Sequence, residues 1–403
     1  MDKPINILFL SCMYSETQIL EFQEKSRKGF QFAAQNLQGA IVDGFLEHNV
    51  KLDVLTIPSL STFPLGYKSP IVNDAEFVWK GESIGASVGF TNLPILRKPV
   101  REKIWSYINS WFSSSSSQKY VVVYGLHKQL MSIALEIKAK KSSVRTCQIV
   151  PDLPRYMACN KWYRLLGLQK RDTRYIYSMV KHFDSFVLLS EPMANDLCIS
   201  EKPYTIVEGI FSQGRDSDCH VSKDAHKAIL YTGNLNNRYG ILNLLDAFSQ
   251  IKSSEYRLWI RGEGNTKDEV IRRSRLDNRI VYYDRMSIDE LRKLQQRATL
   301  LVNPVPPSAE FTRYFFPSKT MDYMASGTPT LMFNLECLPS EYKDYLYLFS
   351  KNDCASIKDM LITICSKHTN DLEMFGKKAQ HFIITEKNPY LQVDRILNLL
   401  RSI

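Results

Sequence analysis

Glu310-Phe-Thr-Arg-Tyr-Phe-Phe-Pro-Ser-Lys-Thr-Met-Asp-Tyr-Met-Ala-Ser-Gly-Thr-Pro-Thr-Leu331 reads as a loop that opens into a short helix and ends in a buried strand. Ser318 stands where an N-cap oxygen accepts from a first-turn amide. Met321 and Met324 supply an apolar face, and Gly327 followed by Pro329 stops the helix. Ser318, Lys319 and Asp322 fall on one face at helical spacing. A helix start attracts anions through its amides and dipole, and Lys319 adds a full positive charge there. A cation beside a hydrogen-bond acceptor suits a nucleotide diphosphate sugar, with ammonium to diphosphate and carboxylate to ribose hydroxyls.

Outward from this segment, strand and helix patterns alternate. Asn6–Ser11 is an apolar strand, followed by a polar loop, a helical pattern from Ser26 to His48 and a strand at Lys51–Ile57. Tyr120–Tyr124, Arg145–Val150 and Ser185–Ser190 are further buried-type strands, which predicts a mostly parallel, doubly wound sheet. A second series runs through strands at Ala228–Thr232, Tyr256–Ile260, Arg279–Tyr283 and Leu300–Asn303, with helices between them. The polar stretch Ser212–Ser222 reads as the connector. The expected domains are residues 1–211 and 212–385.

A chain of 403 residues is long enough for two such domains, and 44% hydrophobic residues argue for folded cores. Eight scattered cysteines, with no paired metal-ligand spacing, predict neither structural zinc nor a disulfide framework. The opening apolar run is too short for a signal peptide and no apolar run spans a bilayer, so the expected location is cytoplasmic. The net charge of +10 points to phosphate-bearing substrates, nucleic acid or an anionic membrane. Basic residues gather at Lys138–Lys141 and alternate with Trp162, Tyr163, Leu165, Leu166 and Leu168 between Lys161 and Tyr175. This pattern fits a membrane-surface helix or a surface helix packed on its own domain. Without an RNA-binding or zinc signature, nucleic acid is not an expected partner.

Pro317-Ser-Lys-Thr-Met-Asp-Tyr-Met-Ala-Ser-Gly-Thr-Pro329 resembles the donor-binding segment of group 1 (family 4) glycosyltransferases of the GT-B fold. Tyr231–Gly240, Leu258–Gly264 and Ala298–Pro304 are similar to other segments of that family and occur in the expected order. The resemblance implies an α/β protein with two Rossmann-like doubly wound domains facing a central cleft, the C-terminal helix at 386–403 returning to the first and joining domain 1–211. It also implies a retaining glycosyltransferase, working without metal or cofactor, in polysaccharide or glycoconjugate assembly. The donor is then a nucleotide sugar and the acceptor a glycan or lipid-linked sugar; peripheral contact with an anionic membrane is what the membrane-surface reading of the basic stretch adds.

Loops at the carboxyl ends of parallel strands are where ligands bind. Gly233, Asn234, Arg238 and Gly240 follow the first strand of the second series. The glycines let backbone approach a ligand, and Arg238 offers a guanidinium to phosphate. The alternative is a tight turn with an exposed arginine. The family's lysine before the second glycine is Tyr239 here. Pro317, Ser318, Lys319, Thr320 and Asp322 complete the expected donor set. Asp322 replaces the family's usual glutamate, and Tyr314 stands where the family has another, so Glu310 is the candidate carboxylate opposite the sugar. Gly262-Glu-Gly264 lacks the remainder of a dinucleotide fingerprint, which argues against nicotinamide or flavin. In the first domain Asp152 and His127 follow strands and are candidate bases, against structural roles for each. Pro151 stands where relatives often have histidine. These departures keep a second reading open, a catalytically inactive donor-binding or scaffold protein.

Overall fold

The computed structural model describes residues 5–27, 32–93, 101–113, 118–156, 167–212 and 221–403. These residues form two compact α/β units. One comprises the described residues up to Ser212 together with Pro389–Ile403, and the other runs from Val221 to Asn388.

In the first unit the order is β1 (Ile5–Ser11), α1 (Glu16–Lys25), α2 (Phe32–Glu47), β2 (Lys51–Thr56), β3 (Ile71–Val72), β4 (Ala75–Trp79), β5 (Glu82–Ser87) and β6 (Phe90–Thr91). Then follow α3 (Arg101–Ser113), β7 (Gln118–Tyr124), α4 (Lys128–Lys140), β8 (Arg145–Val150), α5 (Leu168–Val180), β9 (Ser185–Leu188), α6 (Pro192–Asp196) and β10 (Tyr204–Ile206). The main sheet is ordered β10-β9-β8-β7-β1-β2-β5-β4 and is parallel except for β4 against β5. Tyr120 to Tyr124 of β7 are all buried, as expected for a strand covered on both faces.

Two local expectations are corrected. The polar stretch after β1 forms α1, because Phe22 and Gln18 find a buried face and Lys25 pairs with Glu21 at 2.7 Å one turn away. Ser26, where a helix was expected to begin, is instead held in a bridge to Tyr67, and α2 is described from Phe32. Strands β3 to β6 were not anticipated; they are only two to six residues long, so no sustained apolar period marks them.

The second unit contains β11 (Lys227–Thr232), α7 (Ile241–Ser249), β12 (Tyr256–Arg261), α8 (Lys267–Leu276), β13 (Ile280–Tyr283), α9 (Ile288–Arg297) and β14 (Leu300–Asn303). It continues through α10 (Lys319–Ala325), β15 (Thr330–Phe333), β16 (Tyr347–Phe349), α11 (Cys354–Cys365) and α12 (Thr369–Glu386). Its sheet is wholly parallel, in the order β13-β12-β11-β14-β15-β16. Both sheets are Rossmann-like, and the order reverses between β11 and β14 in this one.

The last helix, α13 (Pro389–Arg401), returns to the first unit. Val393, Ile396, Leu397, Leu399 and Leu400 join one cluster with Phe9, Phe45, Val122 and Ile149. Gly44 of α2 makes this fit possible: a Cβ there would lie 2.3 Å from Val393 Cγ2 and 2.5 Å from the Pro389 carbonyl oxygen. No helix among the described residues is long and apolar enough to cross a membrane. Residues Lys161 to Leu166 and most of the expected connector, 213–220, lie outside the described residues. In the part of the basic stretch that is described, α5 buries Ile176, Met179 and Val180 and exposes Lys170, Arg171, Arg174 and Tyr175. The other basic cluster has structural partners, with Lys138 pairing with Asp184 at 2.7 Å and Lys140 sitting 3.6 Å over the Trp105 ring.

Candidate functional site

Where strand order reverses in an open parallel sheet, the loops on either side diverge and leave a crevice at the carboxyl edge. In the second unit the loops that leave β11 and β14 flank that point, and they carry the expected donor residues. Gly240 ends the first loop with φ +79°, and a Cβ there would lie 2.0 Å from the Pro304 carbonyl oxygen of the second. Only glycine permits both that backbone conformation and that approach. The first loop also runs alongside the chain leaving β12, with Gly233 N–H donating to Arg261 O and Leu235 N–H to Glu263 O, both at 2.9 Å.

Helix α10 is fixed to β11 by one phenol. Tyr323 Oη accepts from the Thr232 amide at 2.7 Å and donates to the Thr232 carbonyl at 2.9 Å, within a fully buried setting. This tie lays Lys319, the first residue of α10, across the start of the β11 loop. Its Nζ donates to Tyr231 Oη at 3.3 Å and stands 4.3 Å from the ring centroid. A Cβ on Gly233 would come within 2.8 Å of that ammonium. Tyr231 Oη in turn donates to the Asn234 carbonyl at 2.8 Å. Lys319, Gly233 and Asn234 are thus brought together around a buried phenol. Lys319 is half-buried and no carboxylate acts on it, so loss of solvation pushes its pKa down to about 7. Burial likewise raises the Tyr231 phenol, which keeps it a neutral hydrogen-bonding partner.

The remaining donor candidates fall in distinct places. Arg238 lies in a 3-10 turn, Asn237–Tyr239, where the Asn236 side chain accepts from the Arg238 amide at 3.3 Å. Its guanidinium sits 4.9 Å from the Tyr239 ring and 5.1 Å from the Phe311 ring, and donates to Tyr239 Oη at 2.9 Å. Phe311 adjoins the exposed Glu310, so this stack joins the β11 loop to the segment carrying that carboxylate. Tyr314 is buried.

Ser318 does not make the expected side-chain cap. It has helical φ −50° and ψ −35°, and the turn opens instead with Thr320 N–H donating to the buried Pro317 carbonyl at 2.8 Å. Thr320 is fully buried, and its hydroxyl accepts from Asn303 Nδ2 at 3.3 Å, so its hydrogen bonds fix the helix from within. Asp322 and Lys319 do not pair: the lysine reaches back to Tyr231, while Arg292 is the cation acting on Asp322. Asp322 has surface open to water yet crowded surroundings. Loss of solvation pushes its carboxyl up to about 6, with Arg292 opposing.

In the first unit His127 occupies the extended position just before α4, at the carboxyl end of β7. Asp152 follows β8, the strand paired beside β7, so the two candidates leave neighbouring strand ends. Asp152 is exposed but poorly solvated, which raises its carboxyl to about 6. Among the described residues no group of three or more His, Cys, Asp or Glu side chains could hold a metal ion.

Four contributors were not singled out in the sequence as parts of the site: Tyr231, Tyr323 and the aromatic pair Tyr239 and Phe311. For Tyr231 and Tyr323 the signal was a tyrosine inside an otherwise apolar strand or helix, which needs a partner for its hydroxyl. Nothing local names that partner, since Tyr323 and Thr232 are far apart in sequence.

Residues 226–367 match the family model described as glycosyl transferases group 1. No curated protein matches the chain. Among solved structures it is similar to sucrose-phosphate synthase from Thermosynechococcus elongatus, at 12% identity and TM-score 0.63 over 98% of each chain. It is also similar to the Anabaena protein Alr3699/HepE in complex with UDP, at 12% identity and TM-score 0.59, covering 99% of this chain and 100% of that one. A third is S. aureus TarM in complex with Fondaparinux, alpha-GlcNAc-glycerol and UDP, at 11% identity and TM-score 0.57, covering 98% and 100%. At these identities the likeness establishes the two-unit fold. Residues 226–367 therefore match the group 1 glycosyl transferase model, within a chain that has the GT-B fold of these solved structures.

Proposed function

We propose that the protein transfers a sugar from a UDP-sugar to a glycan or lipid-linked acceptor, with retention of configuration, the second unit binding the donor and the first the acceptor. The observation that carries this reading is the Lys319 ammonium, held on Tyr231 over Gly233 at the point where strand order reverses. UDP is the nucleotide named with several proteins of this fold, and it is a ligand whose diphosphate such a cation would meet.

Negative charge develops on the leaving diphosphate as the glycosidic bond breaks, and fixed positive groups stabilise it without reorganising. Lys319 and Arg238 take that role. Asp322 is assigned to the ribose hydroxyls, Glu310 to the transferred sugar, and Asp152, with His127 beside it, to orienting and deprotonating the acceptor hydroxyl. A carboxyl raised to about 6 is a more effective base near neutral pH than an ordinary aspartate. The exposed Lys170, Arg171 and Arg174 of α5 are the described side chains that would meet an anionic membrane surface.

A thermal-shift panel of UDP-, GDP-, ADP- and CMP-sugars tests the donor, since a ligand at about 100 times its Kd stabilises by about 2.7 kcal/mol. Stabilisation by UDP-sugars above the others is expected. Lys319→Ala should lower donor turnover about 100-fold or more with the fold intact, and near-normal turnover would remove the basis of the assignment. The buried Tyr314, where the family carries a glutamate, favours the scaffold reading. That reading replaces this one if the donor binds but no acceptor ever elicits release of nucleotide diphosphate.

A further inference from the structure

We infer that a groove on the first unit, between α3, α4 and α5, is a carbohydrate subsite that holds the body of a neutral glycan acceptor. This inference rests on the transferase reading for its purpose and on the groove's own chemistry for its ligand. The cavity measures about 740 Å³, which is in the range of small-molecule sites. Two aromatic side chains line it, Trp105 and Tyr175. Lys140 holds the indole at 3.6 Å and is not part of the cavity wall, while Tyr175 leaves 51% of its surface exposed.

Two of the three cations in the lining are matched by carboxylates. Arg101 pairs with Glu136, and Lys128 pairs with Asp172 at 2.7 Å. Arg171 is the further cation in the wall. A nucleotide or an anionic headgroup calls for several cations not already answered by carboxylates, where this wall leaves one, and an alkyl chain needs walls free of charge. Alternating cation and carboxylate beside aromatic rings suits a sugar instead. Each hydroxyl can donate to a carboxylate and accept from an ammonium or guanidinium, while the C–H faces lie on the rings.

Position agrees with that role. Lys128 begins α4 and directly follows His127, so the groove starts at the sheet edge that carries the candidate bases. Glu136 lies eight residues further along the same helix, about 12 Å away at 1.5 Å per residue. The groove is therefore longer than one pyranose ring, and the acceptor it fits is an oligosaccharide or a longer glycan.

The test is saturation-transfer NMR and calorimetry with maltohexaose, cellohexaose and chitohexaose on the full chain, beside Tyr175→Ala and Trp105→Ala. UDP-sugar thermal shift serves as the donor control and cosedimentation with phosphatidylglycerol vesicles as the membrane arm. The expected result is saturable binding of at least one hexasaccharide, weakened tenfold or more in either variant, with the donor shift unchanged. Tyr175 is exposed, so its variant keeps the fold even if Trp105→Ala does not. Absence of glycan binding by a protein that still binds the donor overturns the groove and leaves the transferase reading standing. Glycan binding that both variants retain also overturns it, as does vesicle binding that the variants abolish when no glycan binds. Loss of the donor shift alone, with glycan binding lost in the variants, overturns the transferase reading and keeps the groove.

Discussion

Lys319 concentrates the chemistry because a primary amine is held where water solvates it poorly and no carboxylate answers it. Its pKa of about 7 gives a pH signature. A bound diphosphate favours the ammonium and raises that pKa, so donor binding takes up a proton wherever the free lysine is neutral. Below about pH 7 the lysine is already charged and affinity is at its maximum. Above it, UDP-sugar affinity should fall by up to tenfold per pH unit until the raised, donor-bound pKa is reached. Calorimetry in buffers of different ionisation enthalpy measures the uptake, and a pH-independent Kd from 6 to 9 would contradict the placement. Gly233→Ala tests the same contact sterically. The added methyl meets the lysine ammonium at 2.8 Å and Tyr231 Oη at 3.2 Å, and φ +154° is itself strained for alanine, so the loop and the ammonium should both shift. The expected outcome is a fall in kcat/KM of about tenfold or more, consistent with a misplaced charge-stabilising group, with cooperative unfolding preserved. The lysine itself was legible from its motif, but its phenolic partner was not, because Tyr231 lies on a strand 88 positions earlier.

At the scale of elements, what positions the lysine is the tie between α10 and β11. Helix α10 has only seven residues, too few to set its own orientation, and Tyr323 anchors it to the Thr232 backbone. Tyr323→Phe keeps the ring and removes the hydroxyl, leaving a buried amide and carbonyl without that partner. A loss of about 1–3 kcal/mol is expected, read as a lower denaturant midpoint at unchanged m-value, together with weaker donor binding as α10 loosens. A variant as stable as the parent would show that the amide finds another partner. Element identities were largely readable here, since continuous apolar runs gave β1, β7, β8 and β14 and the 3.6-residue period gave α7 and α9. The capping of α10 was not. Ser318 has the right chemistry for a cap, but the helical backbone at that residue moves the opening of the turn to Pro317. Strands β3 to β6 escaped notice because a short strand exposed on one side carries little apolar signal.

For the whole molecule, α13 has the largest consequence. Val393, Ile396, Leu397, Leu399 and Leu400 are almost wholly buried in the core of the first unit. Five such side chains at about 1.5–3 kcal/mol each match the whole stability of an ordinary domain, about 5–15 kcal/mol. Removing residues 389–403 should therefore abolish cooperative unfolding of the first unit while the second still gains stability from UDP-sugar. Calorimetry of the truncated chain distinguishes this from a dispensable tail, for which both transitions would persist. The chain's own sequence determined the two parallel α/β sheets and the lysine-bearing segment, because strand and helix periodicity and a local motif are properties of neighbouring residues; the return of the last helix was expected only from the family resemblance. Only tertiary structure decided that the lysine rests on Tyr231 and not on Asp322, that Arg238 lies against both Tyr239 and Phe311, and that Thr320 faces the interior. Each of those depends on which distant segments the sheet order places side by side. A hydrogen bond between residues 88 positions apart leaves no periodic trace in either segment, so only the folded chain reveals it.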